Sequence, residues 1–152
     1  MSPSPLGTDI ALDLIDNRAL SIYRVRLDEH KTLSGGRNIR QRDFATLSDL
    51  DNLGQALTVR LLTPRGELAA LGHPLYGSRL HEIIGATNTP TTRNLAKLFV
   101  IETLKQERRV ERIVSVEVTP HAVNRFLIEI AARVVPIGKD TVLDIGPLLI
   151  EL

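Results

Sequence analysis

Four glutamates are the residues whose chemistry could make this chain an enzyme. They are Glu67, Glu82, Glu102 and Glu107. Two carboxyl groups about 5–9.5 Å apart can hydrolyse a glycosidic bond. A saccharide cleft usually also contains aromatic surfaces, but only 3% of the residues are aromatic and none is tryptophan. Glutamates near helix ends are also common as ion-pair partners. The sequence therefore predicts no catalytic residues.

The other reactive residue types do not form a recognisable site either. The histidines are His30, His73, His81 and His121, and none has a second histidine at a metal-binding spacing. Asp49, Asp51 and Asn52 resemble the start of a calcium loop, but Arg60 stands where the bidentate glutamate belongs. The chain has no cysteine, no nucleophile elbow and no phosphate-binding loop. We expect no bound metal and no cofactor.

One charged cluster has a spacing that favours contact with another protein. Glu107, Arg108 and Arg109 lie where a predicted helix ends and the most regular strand begins. The carboxyl end of a helix favours cations, so the two arginines are stable there. The cluster fits either a solvated helix end or a charged junction that docks on a neighbouring subunit. Arg65 and Glu67 form a second, more ambiguous candidate contact.

The composition limits the classes of partner. The 152 residues include 19 basic and 18 acidic side chains, and this balance argues against nucleic acid. Only four basic residues are lysines, and arginine is the residue that protein interfaces favour. No apolar run approaches the roughly 20 residues of a membrane span, and no signal peptide is visible. We expect a cytoplasmic protein with no membrane insertion.

The amino-terminal third alternates between apolar and polar residues. Residues 10–14 and 19–27 follow this pattern, which predicts two strands that form a hairpin. Residues 28–42 are polar, contain Gly35-Gly36 and carry three arginines, which predicts a flexible basic loop. A short strand is expected over residues 43–47.

Two helices follow. Ser48 is the expected cap of the first, which ends before Thr63-Pro64. Its apolar face is predicted from helical spacing as Leu50, Leu53, Leu57 and Leu61. Glycines and prolines then predict a compact loop and a short helix up to Ile84. Thr89-Pro90 is expected to open the second helix. One side of that helix is predicted to carry Leu95, Leu98, Phe99 and Glu102.

The carboxyl-terminal third has the period of two that is typical of strands. The residues predicted to share a face are Val114, Val116 and Val118 in one strand, and Phe126, Ile128, Ile130, Ala132 and Val134 in the next. A last strand spans 143–150, where Pro147 indicates an edge or a bulge. The order predicts an α+β fold, in which an antiparallel sheet (an amino-terminal hairpin and a carboxyl-terminal meander) packs against two or three helices. We expect a flexible terminus over 1–8 and one domain over 9–152, with a hairpin or loop insertion at 16–42.

The chain resembles the baseplate-wedge, or sheath-initiator, family of contractile tails, often labelled lysozyme-like. The segments that carry the resemblance are 43–48, 52–57, 60–68, 71–74, 76–80 and 107–110. It covers residues 43–152, with a weaker match over 8–14. Glu107-Arg108-Arg109 corresponds to the family's Glu-Pro-Arg signature, with Arg108 in place of the proline.

The resemblance implies a structural role in a phage-like particle. The expected partners are baseplate wedge and core proteins, sheath subunits, and tail tube or spike proteins. The chain would be made in the bacterial cytoplasm and end in the baseplate, where a strand edge over 142–151 accepts sheath strands. Val142, Asp144 and Ile150 are therefore further interface candidates.

Two other function classes stay open on the sequence. A bacterial anti-adaptor, which shields a transcription factor from proteolysis, uses a similar fold, so the chain could be a regulatory binding module. The remaining alternative is a cell-wall hydrolase that uses the glutamates named above.

Overall fold

The computed structural model describes residues 5–14, 23–34 and 37–152. The strands are β1 (Thr8–Ile10), β2 (Leu12–Leu14), β3 (Tyr23–Val25), β4 (Leu27–Ser34), β5 (Arg37–Phe44), β6 (Thr46–Ser48), β7 (Val110–Pro120), β8 (Leu127–Pro136) and β9 (Leu143–Glu151). The helices are α1 (Asp49–Leu62) and α2 (Pro90–Lys105), with 3-10 turns at Ala69–Leu71 and Leu80–Ile83 between them. The predicted α+β class is confirmed.

Three antiparallel strand pairs form the amino-terminal part, and they meet at one point. β1 pairs with β6, β2 with β3 and β4 with β5. At the junction, three backbone hydrogen bonds of 2.7–2.9 Å form a closed ring. The N–H of Ala11 donates to the carbonyl of Ala45, the N–H of Ala45 donates to the carbonyl of Arg26, and the N–H of Arg26 donates to the carbonyl of Ala11. These three bonds satisfy the backbone N–H and C=O groups of all three residues, which would otherwise be unpaired where the strands diverge.

The prediction of a flexible basic loop over residues 28–42 is wrong. β4 and β5 pair in continuous register from Leu27 with Phe44 to Ser34 with Arg37. Gly35 and Gly36 lie between them, outside the described residues. The polar composition misleads because backbone pairing does not require an apolar face, and two glycines between two strands are themselves a hairpin signal.

The carboxyl-terminal meander is the sheet on which the core is built. β8 lies between β7 and β9, and α1 and α2 pack on one face. The buried sheet residues on that face include Val116, Ile128, Ile130, Ala132, Val134, Ile145, Leu148 and Ile150. The predicted edge position of the last strand is confirmed, and so is its bulge, because the pairing register shifts between Ile130 and Ala132.

Two predicted apolar faces need correction on the sheet. Val114 is 40% exposed because the register of β7 shifts between Ile113 and Ser115, so Ile113 packs on the core in its place. Phe126 precedes β8 and is 53% exposed, so it does not continue the buried face of that strand.

The buried side of α2 also differs from the prediction. Its buried residues are Ala96, Phe99, Val100, Thr103 and Leu104, whereas Leu98 is 61% exposed. The spacing of apolar residues did not predict the burial of Ala96 and Thr103, because neither side chain is strongly apolar. The Thr103 hydroxyl is satisfied within the helix, where it donates to the Phe99 carbonyl at 2.8 Å.

The predicted cap of α2 is confirmed, since the Thr92 N–H donates to Thr89 Oγ1 at 3.2 Å.

Candidate assembly site

The charged cluster lies in the tight turn that joins α2 to β7. The N–H of Glu107 donates to the Leu104 carbonyl at 3.2 Å, and the Glu107 carbonyl accepts from Val110 N at 3.1 Å. These two bonds fix the direction in which the Glu107 side chain leaves the backbone. That side chain turns inward and is 8% exposed, while Arg108 faces solvent.

Both oxygens of the Glu107 carboxylate are engaged within the chain. Oε1 accepts from Arg109 Nε at 2.9 Å and from the Arg109 backbone N at 3.3 Å. Oε2 accepts from Arg109 Nη2 at 3.2 Å and from Arg60 Nη2 at 3.3 Å. A buried carboxylate is stable in this arrangement because two cations and several donors replace the water that it has lost.

The balance of these effects sets the protonation of Glu107. Burial by itself raises the pKa of the carboxyl group, but the hydrogen bonds from Arg109 and the positive charges of Arg109 and Arg60 outweigh it, so the pKa lies below its ordinary value. The hydrogen bond to Glu107 in turn raises the pKa of Arg109. The cluster is therefore a charged, ionised unit.

Arg109 extends the cluster to the amino-terminal segment. Its Nη1 donates to the Leu6 carbonyl at 3.0 Å, and the same carbonyl accepts from Asn52 Nδ2 at 2.8 Å. The Leu6 side chain is 0% exposed and lies in the main core. The charged turn thus holds the start of the described chain against α1.

Arg60 connects the cluster to a surface pocket of about 500 Å³. Its guanidinium lies over the Tyr76 ring, 4.6 Å from the centroid. Burial raises the pKa of Tyr76. The positive charge of Arg60 opposes this rise, and the negative charge of Glu107 adds to it. Leu75, which is 71% exposed, lines the same pocket. An apolar side chain is therefore presented beside a charged group.

The second predicted contact lies next to the first. Arg65 Nη1 donates to Glu102 Oε1 at 2.7 Å. The Gln106 amide bridges this arginine to the pocket when its oxygen faces Arg65 Nη2 at 2.8 Å and its nitrogen faces the Leu75 carbonyl at 3.2 Å. Arg65 Nε is buried and has no hydrogen-bond partner in the described residues. Glu67 is exposed.

The candidates on the last strand lie in a separate part of the molecule. Asp144 is exposed and pairs with Arg133 at 3.2 Å, and Val142 is half-buried just before β9. Ile150 is 3% exposed and faces the core, so its side chain supports the sheet from inside.

The outer edge of β9 offers backbone groups instead of side chains. Leu152 N–H donates to the Phe126 carbonyl at 2.7 Å, toward β8. Because the hydrogen bonds of an antiparallel pair alternate along the strand, the N–H groups of Leu149 and Glu151 point away from β8. Pro147 lies at the bulge and has no N–H to offer. Leu149 and Glu151 both lie on the carboxyl-terminal side of it.

No sequence signal connects three members of this site with Glu107. Arg60 and Asn52 stand out in the sequence only against a calcium-loop pattern, and Leu6 joins the site through its backbone carbonyl. The described residues contain no group of three His, Cys, Asp or Glu side chains that could hold a metal ion. No helix within the described ranges is long and apolar enough to cross a membrane.

Comparison with known proteins identifies the fold. No protein-family model and no curated protein matches the chain. A solved structure from Geobacter sulfurreducens, described as a "putative tail lysozyme", matches with a TM-score of 0.57 and 22% sequence identity. The chain shares the fold of that protein. The match covers 70% of this chain and 92% of the other.

Proposed function

We propose that this protein is a structural component of the baseplate of a contractile, phage-tail-like particle, where it joins wedge and core proteins and starts the sheath. The observation that carries the proposal is the outer edge of β9, which has no paired strand among the described residues. The fold likeness to a protein described as a "putative tail lysozyme" supports the same setting.

Strand addition would be the first contact. An edge strand with outward N–H and C=O groups can pair with an incoming strand through backbone hydrogen bonds. On the carboxyl-terminal side of the bulge, Leu149 and Glu151 supply the outward donors of β9. The buried side chains of Leu148 and Ile150 hold the strand on the core, so the edge needs no rearrangement to bind.

The charged turn would be the second contact. The burial of Glu107 makes it a residue that supports the turn and does not meet a partner directly. Arg108 and Glu67 are exposed, and so is Leu75, which lines the pocket beside Arg60. We propose that these exposed side chains contact wedge or core proteins, with Glu107 and Arg109 as the internal support of the turn.

The hydrolase alternative requires a protonated carboxyl group that can act as an acid. Glu107 is the buried carboxylate of the described residues, and its pKa lies below the ordinary value. Glu82 and Glu102 pair with Arg79 and Arg65. These pairings favour a structural role over catalysis.

The deciding experiment changes one outward N–H on β9. Leu149→Pro removes a donor that does not bond to β8, and edge strands tolerate proline at such positions. We expect particles that incorporate this variant to lack the sheath, while Leu149→Ala, which keeps the donor, supports normal sheaths. Electron microscopy of particles from complemented deletion strains measures sheath length.

Thermal unfolding of both purified variants separates a blocked edge from a lost fold. If Leu149→Pro is unstable, Glu151→Pro removes a second outward donor on the same side of the bulge. Normal sheaths on particles that contain a folded proline variant would contradict the proposal.

A further inference from the structure

A second open cleft lies away from the charged turn. It is formed by the segment 85–88, which precedes α2, and by the loop 120–126 between β7 and β8. Its volume is about 680 Å³. The side chains that matter for its chemistry are Asn88, Arg93, His121, Val123, Arg125 and Phe126.

The loop on one side of the cleft is held in one shape by its own hydrogen bonds. His121 Nδ1 accepts from Val123 N at 3.2 Å and from Asn124 N at 3.0 Å. Asn124 Oδ1 accepts from Phe126 N at 2.9 Å. The backbone N–H of His121 donates to the Leu127 carbonyl at 3.0 Å. A loop tied in this way loses little conformational entropy when it binds a partner.

This fixed loop presents large apolar side chains to solvent. Val123 is 91% exposed and Phe126 is 53% exposed. Exposed apolar groups held together at the rim of a cleft are typical of a binding surface.

The charged side chains that line the cleft are both arginines, and Leu152 lines it as well. Arg93 Nη1 donates to Asn88 Oδ1 at 2.7 Å, and Asn88 Nδ2 donates to the Arg125 carbonyl at 2.8 Å, so the amide orients one arginine and ties the two walls together. The Arg125 guanidinium lies 4.9 Å from the centroid of the Phe126 ring. Neither arginine forms an ion pair with a carboxylate of the described residues, and no aspartate or glutamate lines the cleft.

We propose that this cleft binds an extended segment of a partner protein in which a carboxylate side chain stands next to an aliphatic one. The carboxylate faces the guanidinium groups of Arg93 and Arg125, and the aliphatic side chain packs on Val123 and Phe126. The charge of the cleft selects the acidic group, and the exposed apolar rim selects the aliphatic one. This inference does not depend on the proposed baseplate role, because none of the four side chains proposed to bind belongs to β9 or to the charged turn.

The test uses peptides of defined composition and the isotope-labelled full chain. The probe is a short capped peptide in which glutamate and leucine alternate, and its two controls replace glutamate by glutamine or leucine by serine. We expect the glutamate–leucine peptide to shift the backbone NMR signals of residues 86–88 and 122–126. Both control peptides should bind about tenfold more weakly or not at all.

Variants assign the effect to the cleft. Arg125→Gln and Val123→Ser change exposed side chains, and each should weaken binding about tenfold. Arg112→Gln removes an exposed arginine on β7 and should leave binding unchanged.

Three results would overturn the proposal. Equal binding of the leucine-to-serine peptide would mean that charge alone acts. If inorganic phosphate displaces the glutamate–leucine peptide as well as free peptide does, the cleft is a general anion site. Shifts outside the cleft, or no shifts at all, would mean that the cleft does not bind such a segment.

Discussion

The side chain of Glu107 links stretches of the chain that are far apart in sequence. It binds Arg60 on α1 and Arg109 at the start of β7, and Arg109 reaches the Leu6 carbonyl. The carboxylate is 8% exposed, whereas the side chains of Arg60 and Arg109 keep 18% and 26% of their surface. A change at Glu107 therefore leaves two cations that are only partly hydrated.

We expect Glu107→Ala to lower the free energy of unfolding by about 2 kcal/mol, the loss of several hydrogen bonds to a charged group. The partial exposure of both arginines keeps this below the cost of breaking a fully buried pair. Urea unfolding measures the change. Glu82→Ala breaks the Arg79–Glu82 pair, in which both side chains are 40% exposed, and is the matched control. A similarly small effect for both variants would mean that Glu107 is not a structural support.

The lowered pKa of Glu107 also predicts how stability depends on pH. A carboxyl group whose pKa is lower in the folded state stabilises the protein above its unfolded pKa, and this stability disappears as pH falls through the folded pKa. The stability difference between the wild type and Glu107→Gln should be full at pH 7 and shrink below the ordinary value of 4.5. Urea midpoints at a series of pH values measure it. A constant difference down to pH 3 would contradict this origin.

The segment between α1 and α2 shows how an element positions a site. Pro64 and Ser78 form a parallel bridge, and the Ser78 hydroxyl donates to the Leu61 carbonyl. These contacts bring Tyr76 beneath Arg60. Gly77 makes the approach possible, because its φ is 103° and an added Cβ would lie 2.5 Å from the Thr63 carbonyl oxygen.

At this position Gly77→Ala should cost about 3 kcal/mol, since it combines left-handed backbone with a clash against backbone atoms. Gly72→Ala is the matched control in the same segment. Its φ is 85°, but a Cβ there meets no atom within 4 Å, so only the conformational cost of about 1 kcal/mol remains. Thermal unfolding compares the two variants. Equal losses would mean that the close approach at Gly77 relaxes easily.

The molecule combines three amino-terminal strand pairs with a three-stranded sheet that is covered by helices on one face. Three of its exposed features are candidate contact surfaces. The cleft beside loop 120–126 and the pocket beside the charged turn have no lining residue in common, whereas the end of β9 reaches the cleft, where Leu152 lines it. More than one candidate contact surface on a small body suits the proposed role of a part that is held between neighbours.

The proposed structural role predicts that the protein does not hydrolyse cell wall. We expect the purified protein to produce no clearing in a peptidoglycan assay in which an active lysozyme clears the same sample. The physical reason is that the buried carboxyl group, Glu107, is held ionised by its arginines. Clearing by the wild type that is lost in Glu107→Gln, with the fold retained, would favour the hydrolase alternative.

Local signals in the sequence determined most helices and strands of this protein, with β4 and β5 as the exception. Thr89-Pro90 opens α2, Ser48 precedes α1, and the alternation after residue 126 marks β8. These features depend on residues within one or two turns of each other, so pattern and propensity are enough to place them. They also fixed the α+β class.

Only the tertiary structure decided which groups share a site and which face of an element is buried. Arg109 and Leu6 are 103 positions apart, and no local pattern pairs a guanidinium with a distant carbonyl. The bulge in β7 exchanged Val114 for Ile113 on the core. Glu107 looked like a surface residue at a helix end and became an internal support because two arginines converge on it. Such outcomes depend on the sum of long-range contacts, which the order of residues along the chain does not display.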